Sequence, residues 1–152
     1  MALEKQTEMS QSETDALLGR HETGVLSLAR DDDPYAIPIS YGYDVDERTF
    51  YLRLVSTPDS EKRKFLSSNP DVRLVVYEEA EPTYRSVVVT GELVEVPRDA
   101  MTVEHIEQYG DAKRPLFEIW GESKPELDIK LYELRTDSIS GRHIEISEPR
   151  HD

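Results

Sequence analysis

Short runs of alternating apolar and polar residues, parted by turns of only a few residues, dominate this chain between residues 24 and 96. Residues 24–30 (GVLSLAR), 35–44 (YAIPISYGYD), 49–55 (TFYLRLV), 72–77 (VRLVVY) and 84–96 (YRSVVVTGELVEV) read as strands. In 49–55 the alternation puts Phe50, Leu52 and Leu54 on one face. Asp31-Asp32-Asp33-Pro34 and Val45-Asp46-Glu47-Arg48 are turn sequences. Such short connections cannot carry a parallel crossover, so the sheet is expected to be largely antiparallel. Pro38 lacks an amide donor and belongs at an edge or irregularity, and Gly91 at a bend or bulge. Residues 128–136 and 139–146 supply a last strand or strand pair, broken near Gly141.

Three helices are expected around this sheet. The first is capped by Ser12 or Thr14 and runs to about Arg20, with Leu17 and Leu18 facing inward. The second covers about 58–68, with Thr57 as cap and Asn69-Pro70 as its end; the third runs from Pro97 to about Tyr109. Residues 1–12 are polar and are expected to be flexible. The chain reads as one domain, 1–152, without repeats or linkers. Some six antiparallel strands of this kind commonly close into a barrel with helices at its rim.

Composition narrows the partners. The net charge is −14, from 32 acidic and 18 basic residues, so phosphate backbones and anionic membranes are repelled. Basic residues are mostly Arg, which together with the acidic excess suggests a halophilic type of surface. Absence of Cys excludes disulfides, iron–sulfur clusters and Cys-ligated zinc. With no apolar run of about 20 residues, the expectation is a cytoplasmic protein. Apolar residues make up 37%, below the roughly 45–50% usual of globular domains with Gly counted. A core that lean points to apolar surface shared between subunits.

Against this acidic background Lys62-Arg63-Lys64 is the one run of three basic residues. It follows Ser56 and Thr57 and falls in the first turns of the second expected helix. Hydroxyls, free amides at a helix start and cationic side chains together suit a phosphate group. A solvated helix face, its cations pairing local acids, is the alternative reading.

Tyr35-x-x-Pro38-Ile39-Ser40-Tyr41-Gly42-Tyr43, then Thr49-Phe50-Tyr51-Leu52, then Lys62-x-x-x-Leu66-x-x-Asn69-Pro70-x-Val72 form an ordered set of motifs. With Tyr84-Arg85-Ser86-Val87-Val88-Val89-Thr90-Gly91 and Ile139-Ser140-Gly141-Arg142, the set resembles the pyridoxamine 5′-phosphate oxidase-like family of FMN-binding split barrels. The likeness extends from about Leu17 to Ile144 and is greatest to the nitroimidazole-resistance-type branch. The resemblance implies a mainly β (α+β) fold, a six-stranded antiparallel split β-barrel with peripheral helices, forming a homodimer with FMN at the subunit interface. It implies that Lys62 binds the FMN phosphate, with Ser56, Thr57 and Arg63 as further contacts. Ile39, Ser40 and Tyr41 would present backbone to the flavin's pyrimidine edge; Leu54 and Val55 would lie beneath the ring, with Ser86 and Val87 near it. Two positions depart from the pattern. Val55 stands where that branch often has a His, and Ser60-Glu61-Lys62 replaces the usual Gly-Arg-Lys.

His21, His105, His143 and His151 lack metal-ligand spacing, and no metal site is expected. His21 precedes a strand and is either a ligand donor or a surface histidine. Trp120 is an interface or core aromatic, or reaches the partner subunit's flavin. Glu78-Glu79 and Asp31 to Asp33 read as solvated acids in turns. There is no P-loop, dinucleotide fingerprint or nucleophile elbow. The expected function is an FMN-dependent oxidoreductase, possible reductants including NAD(P)H, with no catalytic side chain assigned. The alternatives are a non-catalytic flavin-binding module, or a deazaflavin- or haem-binding protein of the same fold.

Overall fold

The computed structural model describes residues 4–56, 70–97 and 128–146. They form seven strands and one helix: β1 (Glu4–Glu8), α1 (Gln11–Arg20), β2 (Thr23–Arg30), β3 (Asp33–Asp44), β4 (Thr49–Ser56), β5 (Asp71–Ala80), β6 (Thr83–Glu95) and β7 (Asp128–Ile146). All pairings are antiparallel. The strand order is β1-β7-β4-β3-β2-β5-β6, with a further pairing of β7 with β6.

This corrects the expected six-stranded split barrel. The protein is mainly β as expected, but the sheet is a seven-stranded one with β1 and β6 at the ends of its order, not a six-stranded closed barrel. Only one peripheral helix lies among the described residues; the helices expected over 58–68 and 97–109 fall outside them. Residues 4–8, expected to be flexible, pair with β7 from Glu4↔Ile146 to Glu8↔Arg142. An all-polar strand at an edge needs only backbone partners, which its composition does not reveal.

The last strand also differs from expectation. β7 runs 19 residues without a break, pairing β4 through 128–135 and β6 through 132–145. Its irregularity is a register shift opposite Thr90 and Gly91, where Asp137 is the extra residue. Gly91 is required there: a Cβ would lie 2.3 Å from the Arg135 carbonyl oxygen. Gly141 marks the docking of α1 rather than a break, since a Cβ there would come 2.7 Å from Thr14 Cγ2 and 2.8 Å from Met9 Sδ.

α1 is capped by Ser10, two residues before the first expected cap. Ser10 and Glu13 form a capping box: the Glu13 amide donates to Ser10 Oγ (3.2 Å) and the Ser10 amide to Glu13 Oε1 (3.0 Å). The Thr14 hydroxyl donates instead to the Gln11 carbonyl. Thr14, Leu17 and Leu18 share the buried face. Each leucine contributes roughly 1.5–3 kcal/mol by burial. The Tyr41 hydroxyl donates to the Leu18 carbonyl at 2.7 Å, tying the helix to β3 inside the core. Around these residues the inward side chains of β2 to β7 form one core, including Leu26, Phe50, Leu52, Leu74, Val89 and Leu134.

Candidate functional site

Alternation assigns each strand residue to the core or to the outer face, and this divides the expected site residues into two groups. Ile39, Tyr41, Leu54 and Val87 belong to the core, each at most 2% exposed. Their side chains support the sheet, and any contact from them to a ligand would run through backbone. Ser40 and Ser86 have the opposite parity on β3 and β6, yet Ser40 is itself buried, 2% exposed, and Ser86 half-buried. Val55 and Ser56 end β4, paired by backbone with Ile129 and Asp128. Thr57, Lys62, Arg63 and Trp120 lie outside the described residues.

Pairing of β3 with β4 stops at Tyr41↔Leu52, although both strands continue. Beyond that point β3 pairs only with β2, and β4 only with β7, among the described residues. The two strands therefore diverge, leaving 33–40 of β3 as an edge facing 53–56 of β4. The Tyr41 amide donates to the Glu22 carbonyl on the β2 side, at 2.9 Å. By alternation, the backbone groups of Ala36 and Pro38 point the other way, into the opening. This accounts for Pro38 within a long strand: its missing donor falls on the unpaired side.

Around the corner from this edge, the outer face of β2, β3 and β5 holds a recess of about 510 Å³. Its lining includes Val25, Pro38, Val75 and Tyr77, with His21, Glu78 and Glu79. Register explains the apolar part, because Val25 stands directly between Pro38 on β3 and Val75 on β5. Gly24 lets β2 lie close against β5; a Cβ there would be 2.8 Å from the Val75 carbonyl oxygen. That approach brings His21 Nε2 to 3.5 Å from Glu78 Oε2, while Arg20 Nη2 donates to Glu78 Oε1. The hydrogen bond from Arg20 holds the Glu78 carboxyl below its ordinary value, outweighing burial.

The sequence reading treated Glu78 and Glu79 as loop acids, whereas β5 runs on to Ala80. The alternation of Val72, Leu74 and Val76, continued two residues further, could have found this. Tyr77 falls on the outward parity and stays 59% exposed. The sequence leaves His21 as either a ligand donor or a surface histidine; its position beside Glu78 follows from strand pairing. Among the described residues, no three His, Asp or Glu side chains come together as a metal site.

The arrangement of strands and its likeness to known proteins agree. Residues 10–143 match the family model described as "Pyridoxamine 5′-phosphate oxidase". An uncharacterized protein of Rhizobium meliloti is 34% identical over 90 residues, covering 59% of this chain and 56% of that protein. The chain thus spans little more than half the length of that relative. Among solved structures, a FAD-binding protein from Mesorhizobium loti aligns with a TM-score of 0.69 at 24% identity, over 97% of this chain and all of that one (100%). The FAD-binding protein from Mycobacterium smegmatis aligns with a TM-score of 0.63 at 20% identity, over 93% and 100%. A heme-binding protein from Mycobacterium smegmatis aligns with a TM-score of 0.62 at 14% identity, over 88% of this chain and 54% of that one. At these identities the structures speak to the fold. The match over 10–143 covers most of the chain, and the protein belongs to the pyridoxamine 5′-phosphate oxidase family.

Proposed function

We propose that this protein binds FMN as a homodimer and acts as a flavin-dependent oxidoreductase. The observation that carries the reading is the divergence of β3 from β4 at Tyr41↔Leu52. It leaves the outward backbone of Ala36 and Pro38 facing a gap, beside the strand end at Ser56 from which the basic segment departs. A flat ring with a polar edge fits such a place: strand carbonyls and amides supply directional bonds, and the sheet beneath is rigid because Ile39 and Leu54 are locked in the core.

Bound there, a flavin supplies electron or hydride transfer between a reductant such as NAD(P)H and an acceptor. The chain's own residues hold and orient it. Backbone along 36–41 and Ser40 would meet the ring's pyrimidine edge, and Ser86 would approach from β6. Ser56, Thr57, Lys62 and Arg63 would hold the phosphate, with Trp120 against the flavin across the subunit interface. The two carboxylates at Glu78 and Glu79 disfavour phosphate on the β5 side, which directs it toward Ser56.

Titration with FMN, followed by flavin absorbance and sedimentation, tests the reading. Stoichiometric binding by a dimer supports it, and a monomer or failure to bind FMN overturns it. Parallel titrations with FAD, a deazaflavin and haem separate the cofactors, since relatives of this fold are described as FAD-binding and heme-binding. Binding of FMN without turnover of any reductant would leave a flavin-binding module.

A further inference from the structure

We propose that Arg53 places its guanidinium against the pyrimidine edge of the bound flavin and stabilises the negative charge that reduction puts there. This rests on the flavin reading above and adds to it the group that sets the ring's affinity for electrons. Leu52 and Leu54 are in the core, so Arg53 between them carries the outward parity of β4. The last pair of β3 with β4 is Tyr41↔Leu52. One step further, Ser40 and Arg53 stand across the opening from each other with the same parity. Ser40 lies in the backbone stretch given above to the pyrimidine edge. The phosphate end, at Ser56, is three residues further along β4, about 10 Å away at the rise of a strand. Arg53 therefore belongs to the ring and not to the phosphate.

Its surroundings leave the charge unmatched. Arg53 is half-buried. Its register partner on β7 is Leu131, which packs with Tyr51 and Val96. Glu133, the acid on that face of β7, accepts a hydrogen bond from Arg135 Nε at 3.3 Å. Among the described residues the Arg53 side chain has no hydrogen bond or ion pair, although the chain carries 32 acidic residues against 18 basic ones. A guanidinium partly withdrawn from water beside apolar side chains gains most from an anionic or carbonyl acceptor in the adjoining gap.

A hydride from a donor such as NAD(P)H brings two electrons and one proton to N5 of the ring. No proton comes to N1, and the negative charge spreads over N1 and the C2 carbonyl oxygen. A fixed cation at that edge favours the reduced ring over the oxidised one.

The full-length protein is titrated with FMN and with riboflavin, which lacks the phosphate. The midpoint potential and proton uptake of the FMN-loaded protein are then measured by reduction with dithionite against a reference dye, over a range of pH. The parent is expected to take up one proton per two electrons near neutral pH. Arg53→Met keeps an apolar stem beside Leu131 and loses the charge. Its preference for reduced over oxidised FMN should fall by about ten-fold or more, a drop of about 30 mV in midpoint, with proton uptake rising toward two. Arg53→Gln repeats the test with a polar side chain and should shift alike. Arg53→Lys keeps a charge and should restore most of the preference. Arg30→Gln, at the exposed end of β2, should change neither quantity. An unchanged potential and proton uptake in Arg53→Met and Arg53→Gln, an equal shift in Arg30→Gln, or a full shift in Arg53→Lys would each overturn the proposal. Loss of affinity for FMN with none for riboflavin would also overturn it, by moving Arg53 to the phosphate. Failure of the parent to bind either flavin removes the flavin reading and this proposal with it, whereas binding with unshifted Arg53 variants removes the proposal alone.

Discussion

α1 is fastened to the sheet at two polar corners, and they differ in what surrounds them. At the first, Asp15 Oδ1 accepts from both the Tyr43 hydroxyl (2.8 Å) and Arg48 Nη2 (2.9 Å). Arg48 has a left-handed backbone, φ 52°, and its carbonyl accepts from the Thr136 hydroxyl at 2.9 Å. Tyr43 packs on Phe50 with ring centroids 4.6 Å apart. Burial, then the bond to Asp15, pushes the Tyr43 hydroxyl's pKa well above the phenol range. The second corner, Arg20–Glu78–His21, uses similar groups but opens onto the recess. Apolar packing closes the first set of charges into an anchor. At the second the carboxylate is hardly more exposed, 18% for Glu78 against 16% for Asp15, but its arginine is, 46% against 30%, so solvent screens the pair.

The largest test of this contrast is Asp15→Ala. It strips the shared acceptor from a half-buried tyrosine and an arginine, so unfolding in urea should show a loss of roughly 2–3 kcal/mol. A loss below that of removing Glu78 would break the comparison. Lys62→Ala addresses a region outside either corner. It should weaken FMN by roughly 1–3 kcal/mol, through loss of a charge-assisted phosphate contact, with the urea midpoint of the flavin-free protein unchanged. Tyr43→Phe keeps the ring on Phe50 and removes only the hydroxyl, for an expected loss of about 1 kcal/mol. A change as large as in Asp15→Ala would mean that Arg48 contributes nothing.

Glu78→Gln should have the smallest effect at neutral pH, below about 1 kcal/mol, because Arg20 is 46% exposed and the pair is screened. Its signature lies in the acid limb. The Glu78 carboxyl is depressed on folding from a reference value of 4.5, chiefly by its hydrogen bond from Arg20. Such a group stabilises the fold fully above its unfolded pKa, and the contribution is lost as pH falls through the folded value. Stability of Glu78→Gln should therefore decline less steeply than that of the parent below about pH 4.5. Identical acid limbs would show that the corner exerts no linkage.

Much of the sheet was legible because its signal is local. Phe50, Leu52 and Leu54 proclaim their shared face by alternation, and all three are in the core. Leu17 and Leu18 were rightly turned inward. Ser10 was missed as a cap in favour of Ser12 and Thr14, although Ser10-x-x-Glu13 has the spacing of a capping box. β1 was missed because Glu4–Glu8 has no apolar pattern; only the unpaired edge of β7 gives it a reason to be a strand. Of the expected site residues, Ser40 and Ser86 share the parity opposite to the core, but only the tertiary structure shows that Ser40 is buried there. Tyr77 carries no signal in the sequence, and Glu79 reads as a solvated acid in a turn; it is indeed exposed, but on β5, whose position beside β2 only the fold sets.

By itself the sequence determined the antiparallel character, the positions of most strands, the inward face of α1 and the family, since each rests on spacing within a segment or on motifs in order. Tertiary structure decided where β3 parts from β4, how β7 joins β4, β6 and β1, and which charges close into an anchor or face a recess. Those outcomes depend on register between segments far apart in the chain, and a shift of two residues in register would keep every local pattern while moving Val25 away from Pro38 and His21 away from Glu78.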